Sequence, residues 1–313
     1  MLQYLVKRLL FAVPTLLAVL TVVFFIARIL PGDPAQVILG EQASAEAIQA
    51  LRLRLGLERP LIQQYAGFMA GALTGDWGSS MVTGRPVLGE VLNVIPYTIE
   101  LTAASVILGA IIGIPLGVWS ALHRNRLIDY VTRIGSLLGL SFPAFVMAIM
   151  LLLVFAIQLS WFPVISSGGS GSLGVRLQHL ALPAINLGII MAAYITRVTR
   201  SSMLEVLGED YIRTAHAKGV PALAVVWRHS LRNALIPVVT VVGLYLGILI
   251  GNSVLTEIVF NRPGLGKLIV GALTQRDYTM LQGLMVVYTF VIVVVNLLTD
   301  LTYGMIDPRV KYQ

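Results

Sequence analysis

Six stretches of this chain are apolar for long enough to cross a lipid bilayer, and nothing else in it constrains the fold as much: Leu9–Leu30, Tyr97–Leu122, Ile134–Leu159, Leu180–Ile195, Leu235–Val254 and Leu281–Tyr303. A membrane-spanning helix needs about 20 mostly apolar residues. The fourth run is the shortest of the six. Composition agrees: of 313 residues 57% are hydrophobic and 12% charged, with a mean hydropathy of +0.85, where soluble domains carry roughly twice that charged share. The expected fold is an all-α membrane protein with six transmembrane helices.

Lys and Arg concentrate in the short loops that stay in the cytoplasm. Lys7 and Arg8 precede the first run, Arg124, Arg126 and Arg133 follow the second, and Arg197, Arg200, Arg213, Lys218, Arg228 and Arg232 lie between the fourth and fifth. The other side has Arg176 in one loop, and Arg262, Lys267 and Arg276 offset by Glu257 and Asp277 in another. Six spans with both termini cytoplasmic satisfy this distribution. The same distribution accounts for the net charge of +7 without nucleic acid, because the basic residues are spread over loops and lack interleaved aromatic pairs. The first run is too long for a signal-peptide core, and Leu30-Pro31-Gly32-Asp33-Pro34 is not a small-residue cleavage site, so it reads as an anchor. With no cysteine there are no disulfides, thiol chemistry or cysteine metal sites.

Between the first two runs, Pro31 to Pro96 forms a long extracytoplasmic segment. Ser44 can cap a helix carrying Ile48, Leu51 and Leu55 and stopped by Gly56. A second helix from Pro60 carries Ile62, Tyr65, Phe68 and Met69, and Gly75-Asp76-Trp77-Gly78-Ser79-Ser80 is turn-like. Two readings stand: a cap packed on the bundle, or a docking surface for a soluble partner.

Glycines recur every fourth residue at Gly109, Gly113 and Gly117 in the second run and at Gly243, Gly247 and Gly251 in the fifth, with a weaker pair at Gly135 and Gly139. Such stripes let another helix approach closely. We expect packed faces, serving either tight packing within the subunit or helices that slide against each other along a transport pathway. Pro115, Pro143, Pro183 and Pro237 each remove a helical hydrogen bond, which is tolerated at depth where protein or water satisfies the freed carbonyl.

Chemistry is hard to find. Arg28, Glu100, Glu257 and Asp300 all sit near span boundaries, so there is no midplane relay of a proton-driven transporter. His123, His179, His216 and His229 have no metal-ligand spacing. Gly169-Ser170-Gly171-Ser172-Leu173-Gly174 matches a dinucleotide pattern without a preceding strand and reads as a linker. Gly264-Leu265-Gly266-Lys267-Leu268 resembles the end of a phosphate loop, but Asn261 and Leu268 stand where glycine and Ser or Thr are needed. A pathway with neither ion relay nor nucleotide site must take its energy from another chain.

The surface for that chain is the polar island Thr196–Asn233. Asp210 is a plausible cap for a helix Tyr211–Lys218 ended by Gly219, and Pro221 opens a second helix to about Ser230. The pair reads as a helix–turn–helix hairpin. Ile212, Ala215 and Gly219 form a small-residue stripe able to enter a partner's groove, flanked by Arg213 and Lys218. The alternative is an amphipathic hairpin lying on the bilayer surface.

At these residues the chain resembles the permease subunits of ATP-binding-cassette (ABC) importers, whose cytoplasmic loop carries a Glu-Ala-Ala motif with glycine six positions after its first residue. Arg213-Thr214-Ala215 and Gly219 stand at those places, followed by Asn233-Ala234-Leu235-Ile236-Pro237. The Arg-Thr-Ala form is similar to the dipeptide, oligopeptide and nickel branch. So are Leu30-Pro31-Gly32-Asp33-Pro34, Pro96-Tyr97-Thr98-Ile99-Glu100-Leu101 and Glu257-Ile258-Val259-Phe260-Asn261-Arg262-Pro263-Gly264-Leu265-Gly266, most like the first of the two permeases such systems use.

The resemblance implies a type I importer permease fold. Residues 1–95 would hold the first helix and the extracytoplasmic segment, 96–304 the transmembrane domain, and 305–313 a cytoplasmic tail. It implies a bacterial inner-membrane complex with a second homologous permease, two cytoplasmic ATPases that bind ATP and magnesium, and an extracytoplasmic solute-binding protein. This chain would hold no cofactor and catalyse nothing. Asp210, Tyr211, Arg213, Thr214, Ala215, Lys218 and Gly219 would form the coupling helix. Di- or oligopeptides are the expected cargo, with glutathione or nickel chelates as alternatives and a non-transporting scaffold or receptor subunit as the competing class. The cavity-lining residues show no charged or metal-binding signature in the sequence.

Overall fold

The computed structural model describes residues 2–29, 33–40, 42–54, 56–166 and 172–306. The expected motif at Leu30-Pro31-Gly32, the linker glycines at 169 and 171 and the end of the tail lie outside the described residues. Among those described, the chain is almost wholly helical: α1 Leu2–Ile29, α2 Pro34–Leu39, α3 Ala45–Arg54, α4 Leu61–Thr74, α5 Val87–Leu122, α6 Leu127–Ser141, α7 Ala144–Leu151, α8 Leu173–Leu207, α9 Asp210–Ala217, α10 Ala222–Ala224, α11 Leu231–Val259, α12 Leu265–Thr274 and α13 Tyr278–Ile306. Two π-helical turns, Leu152–Gln158 and Val225–Ser230, continue α7 and join α10 to α11. Contacts divide the chain into two compact units, Leu2–Pro96 with Gly264–Val294, and Tyr97–Pro263 with Val295–Gln313.

In the first unit, Phe24 of α1 is fully buried with Tyr65 and Phe68 of α4 at ring-centroid distances of 5.3 and 5.7 Å. Thr21 and Tyr65 share a hydroxyl hydrogen bond of 2.8 Å. Ser44 Oγ accepts from the Ala47 amide at 3.2 Å as a helix cap, and Gly75 ends α4 in the left-handed region. Ile62, expected on the packed face of α4, is 77% exposed within this chain. The turn after α4 is pinned by Asp277, whose carboxylate accepts from Ser80 Oγ at 2.5 Å and from the amides of Met81 and Met280 at 3.1 and 3.0 Å. Val87, Leu265, Leu281 and Leu284 fill the core beside it.

The second unit is built around α8. This helix packs against α6, α7 and α11, and 67% of its most apolar window is buried, against at most 39% in the other long apolar helices. Leu187, Met191 and Ile195 meet Leu101, Val238 and Leu249 in its core.

Among the described residues four helices are long and apolar enough to span a membrane: Val87–Leu122, Leu173–Leu207, Ala222–Val259 and Tyr278–Thr299. The third apolar run is not one straight helix. It is α6 and the Ala144–Gln158 helix, bent by 102°. The cause is Pro143, which has no N–H to give and forces its predecessor out of the helical region: Phe142 has φ −82 and ψ 130. The first run gives a shorter apolar stretch, Val13–Ile26, among the described residues. Pro183 and Pro237, by contrast, lie inside unbroken helices.

The fourth span is also longer than its apolar run. Thr196, Thr199 and Ser202 extend α8 while buried against protein, so the island facing water is narrower than Thr196–Asn233.

Candidate functional site

Between Leu207, where α8 ends, and Ala222, where the next long helix begins, only α9 and its flanking turns lie outside the apolar helices. Glu209 is the N-cap, and its carbonyl accepts from the amides of Ile212 and Arg213 at 3.1 and 3.4 Å. Asp210 is therefore not the cap expected of it but the first helical residue, its carboxylate 3.3 Å from Arg213 Nη1. Both side chains are largely exposed, so this pair contributes at most about 1 kcal/mol.

The other end of α9 closes by geometry. The Gly219 amide donates to the His216 carbonyl at 2.9 Å and the Val220 amide to the Ala215 carbonyl at 3.2 Å, the two bonds of a Schellman motif. This needs a left-handed residue after the cap. Gly219 has φ +76, and a Cβ added there would meet nothing within 4 Å. The glycine is required for its backbone, not for lack of room inside the chain.

The faces of α9 are arranged differently from expectation. Ile212 is 2% exposed, turned into its own chain, so the Ile212–Ala215–Gly219 stripe is presented only in part, with Ala215 half-buried and Gly219 exposed. The exposed residues are mostly polar, Asp210, Tyr211, Arg213, Thr214, His216 and Lys218, with Ala217 and Gly219 beside them. The Asn233 amide nitrogen donates to the Tyr211 hydroxyl at 2.7 Å, tying α9 to the base of α11. The second arm of the expected hairpin is no separate helix, because Ala222–Ser230 runs through its π-helical turn into α11.

Near the same end of α8, Arg200 grips Asp129 with two hydrogen bonds, Nε to Oδ1 at 2.5 Å and an Nη to Oδ2 at 2.8 Å. Ser120 Oγ and the Asn125 amide complete the carboxylate at 2.6 and 3.0 Å. Asp129 is wholly buried, so this cluster braces α5, α6 and α8 together.

The first glycine stripe is packed as expected. A Cβ built on Gly109 would lie 2.6 Å from Met191 Cγ, on Gly113 2.8 Å from the Ala192 carbonyl, and on Gly117 2.5 Å from Thr199 Cβ. In the second stripe only Gly243 is packed, against Thr299, while Gly247 and Gly251 face open space within this chain.

At the opposite end of α8's unit, two stretches far apart in sequence converge. The Arg262 guanidinium donates to Glu100 at 2.8 Å and lies 5.8 Å from the Tyr97 ring centroid. Glu257, fully buried, accepts from Thr98 Oγ1 at 2.7 Å. Burial pushes the Arg262 guanidinium below its ordinary pKa, against the pull of Glu100. Sequence reasoning placed Glu100 and Glu257 at span boundaries but not together. The available signal was that two motifs with charged residues, Tyr97–Glu100 and Glu257–Arg262, sit beside apolar spans that must satisfy their polar groups internally.

Residues 113–312 match the family described as binding-protein-dependent transport system inner membrane component, and residues 1–102 match the N-terminal family of the same systems' membrane components. The chain is 41% identical over 313 residues, all of both chains, to the glutathione transport system permease protein GsiC of Escherichia coli strain K12. It is 42% identical over the same length to that of Salmonella choleraesuis strain SC-B67. Among solved structures, a chain of the MetNI methionine ABC transporter in inward-facing conformations superposes with a TM-score of 0.58 at 18% identity, covering 71% of this chain and 98% of that one.

Proposed function

The chain belongs to the family of binding-protein-dependent transport system inner membrane components, and on that premise we propose that it forms half of an import pathway driven through α9 by a separate ATPase. It is an inner-membrane transport subunit rather than an enzyme. A second homologous permease would complete the pathway, two cytoplasmic ATPases would hold ATP and magnesium, and an extracytoplasmic binding protein would deliver the solute. Both termini and α9 would lie on the cytoplasmic side, a reading supported by the Lys and Arg distribution.

The observation carrying this reading is the build of α9: a short helix outside the apolar spans, anchored by buried Ile212 and by Tyr211–Asn233, with a polar face of Arg213, Thr214 and Lys218 left exposed. Such a helix, held in a groove of the ATPase, would move as a rigid lever when the ATPases close, and α11, joined to it through Asn233, would move with it. The cargo we assign is a short peptide. The second reading, glutathione, is favoured by the names of the relatives at 41–42% identity.

Gly219 provides the test. Gly219→Val forces a β-branched residue into the left-handed region at a cost of order 1–3 kcal/mol, opening the Schellman turn. Gly219→Asn keeps that conformation. In the assembled transporter we expect Gly219→Val to hydrolyse ATP while importing at least fivefold less solute per ATP, and Gly219→Asn to stay near wild type. Wild-type coupling in Gly219→Val would refute the assignment of α9.

A further inference from the structure

A candidate for solute contact is a cavity of about 500 Å³ between α6 and α8, lined among others by Tyr130, Arg133, Ser136, Arg197 and Ser201. Its three arginines are not equivalent. Arg200 is committed to Asp129 in a two-pronged pair. Arg133 lies 5.9 Å from the Tyr130 ring centroid, and neither Arg133 nor Arg197 has a carboxylate partner among the described residues. Two guanidiniums and the hydroxyls of Ser136 and Ser201 facing one space form a donor set for an oxyanion, and Arg is the side chain whose fork fits a carboxylate.

A second, smaller cavity of about 200 Å³ lies between α8, α11 and the end of α6, and Leu140 lines both. This one sits at the Phe142–Pro143 break and carries Tyr194, Tyr245 and Asn252, with apolar residues and no acid or base of the Lys, Arg, Asp, Glu or His kind. Its donors and acceptors suit a neutral amide. Tyr194 and Arg197 are three residues apart on α8, hence on one face about 4.5 Å apart along the axis. That is the scale on which a peptide's backbone amide and its terminal carboxylate are separated. The two cavities together therefore read as one path with a neutral upper part and a cationic lower part.

We propose that Arg133 and Arg197 bind the carboxylate of the imported solute while the Tyr194–Tyr245–Asn252 cavity holds its amide, which makes this permease selective for anionic, amide-bearing solutes. The inference rests on the transport reading above and adds the class of solute and where it is held. A phospholipid headgroup shares the anionic chemistry. The solute is favoured because Arg197 stands on α8, the most enclosed of the long apolar helices, and the cavity it lines with Arg133 of α6 adjoins an amide-sized one.

The test uses the transporter with its partner chains in proteoliposomes, and two probes, glutathione and Ala-Ala, each with free carboxyls and with the carboxyls capped as amides. Uptake by an Arg133→Gln/Arg197→Gln variant is divided by wild-type uptake of the same probe, which cancels the selection made by the binding protein. We expect this ratio to fall about tenfold for the acids, the loss of a charge-assisted hydrogen bond, and to fall less than threefold for the capped forms. An equal fall for both forms would mean a structural role and overturn the proposal. So would a defect that appears only in vesicles containing phosphatidylglycerol and ignores capping, which would assign the cavity to a lipid headgroup. Absence of uptake of every probe by the wild type would defeat the transport reading itself, and this site with it.

Discussion

At the scale of single residues, buried charge decides most. Asp129 has no exposed surface and is satisfied by Arg200, Ser120 and the Asn125 amide. Removing one member of such a pair leaves the other charged and unpaired at a cost of about 3–5 kcal/mol, whereas replacing both with apolar groups is often nearly neutral. Asp129→Ala is therefore expected to destabilise the purified subunit by about that amount, and Asp129→Ala/Arg200→Met to recover most of it. Thermal unfolding in detergent checks this, and a double variant no better than the single would show that the pair is not the brace. Arg213 reaches the Gly208 carbonyl at 3.3 Å as well as Asp210. Its charge serves the N-terminal turn of α9 from an otherwise exposed position.

At the scale of elements, equal sequence patterns have unequal structural meaning. Both glycine stripes repeat every four residues, yet Gly109, Gly113 and Gly117 lie against α8 while Gly247 and Gly251 touch nothing in this chain. Gly113→Ala should cost about 1–3 kcal/mol by overpacking against Ala192 and Ile195, and Gly251→Ala should leave the isolated subunit's melting temperature unchanged. A comparable loss from both would contradict the packing. The apolar runs and the end of α9 at Gly219 were legible in the sequence because each follows from a local rule, hydropathy in one case and a left-handed residue in the other. The inward turn of Ile212, the meeting of Glu100 with Arg262 and the open arginines of the α6–α8 cavity were not. Each depends on which neighbour a side chain meets across many tens of residues, and hydropathy or spacing carries no such information.

At the scale of the whole molecule, the proposed function makes the chain a path and α9 its lever, so transport would depend on what grips α9 from outside. The exposed side of that helix carries Arg213, Thr214 and Lys218 and the buried side holds Ile212, so under the proposed function the ATPase contact would include Thr214. Because the chain has no cysteine, a single Thr214→Cys substitution carrying a short photo-crosslinker reports that contact without background. In the assembled, transport-competent complex we expect Thr214→Cys to form a covalent adduct with the ATPase subunit in high yield, and a label at Leu173, at the other end of α8, to form none. An active complex in which Thr214→Cys never reaches the ATPase, or in which Leu173→Cys does, would contradict the claim that α9 is where the work enters.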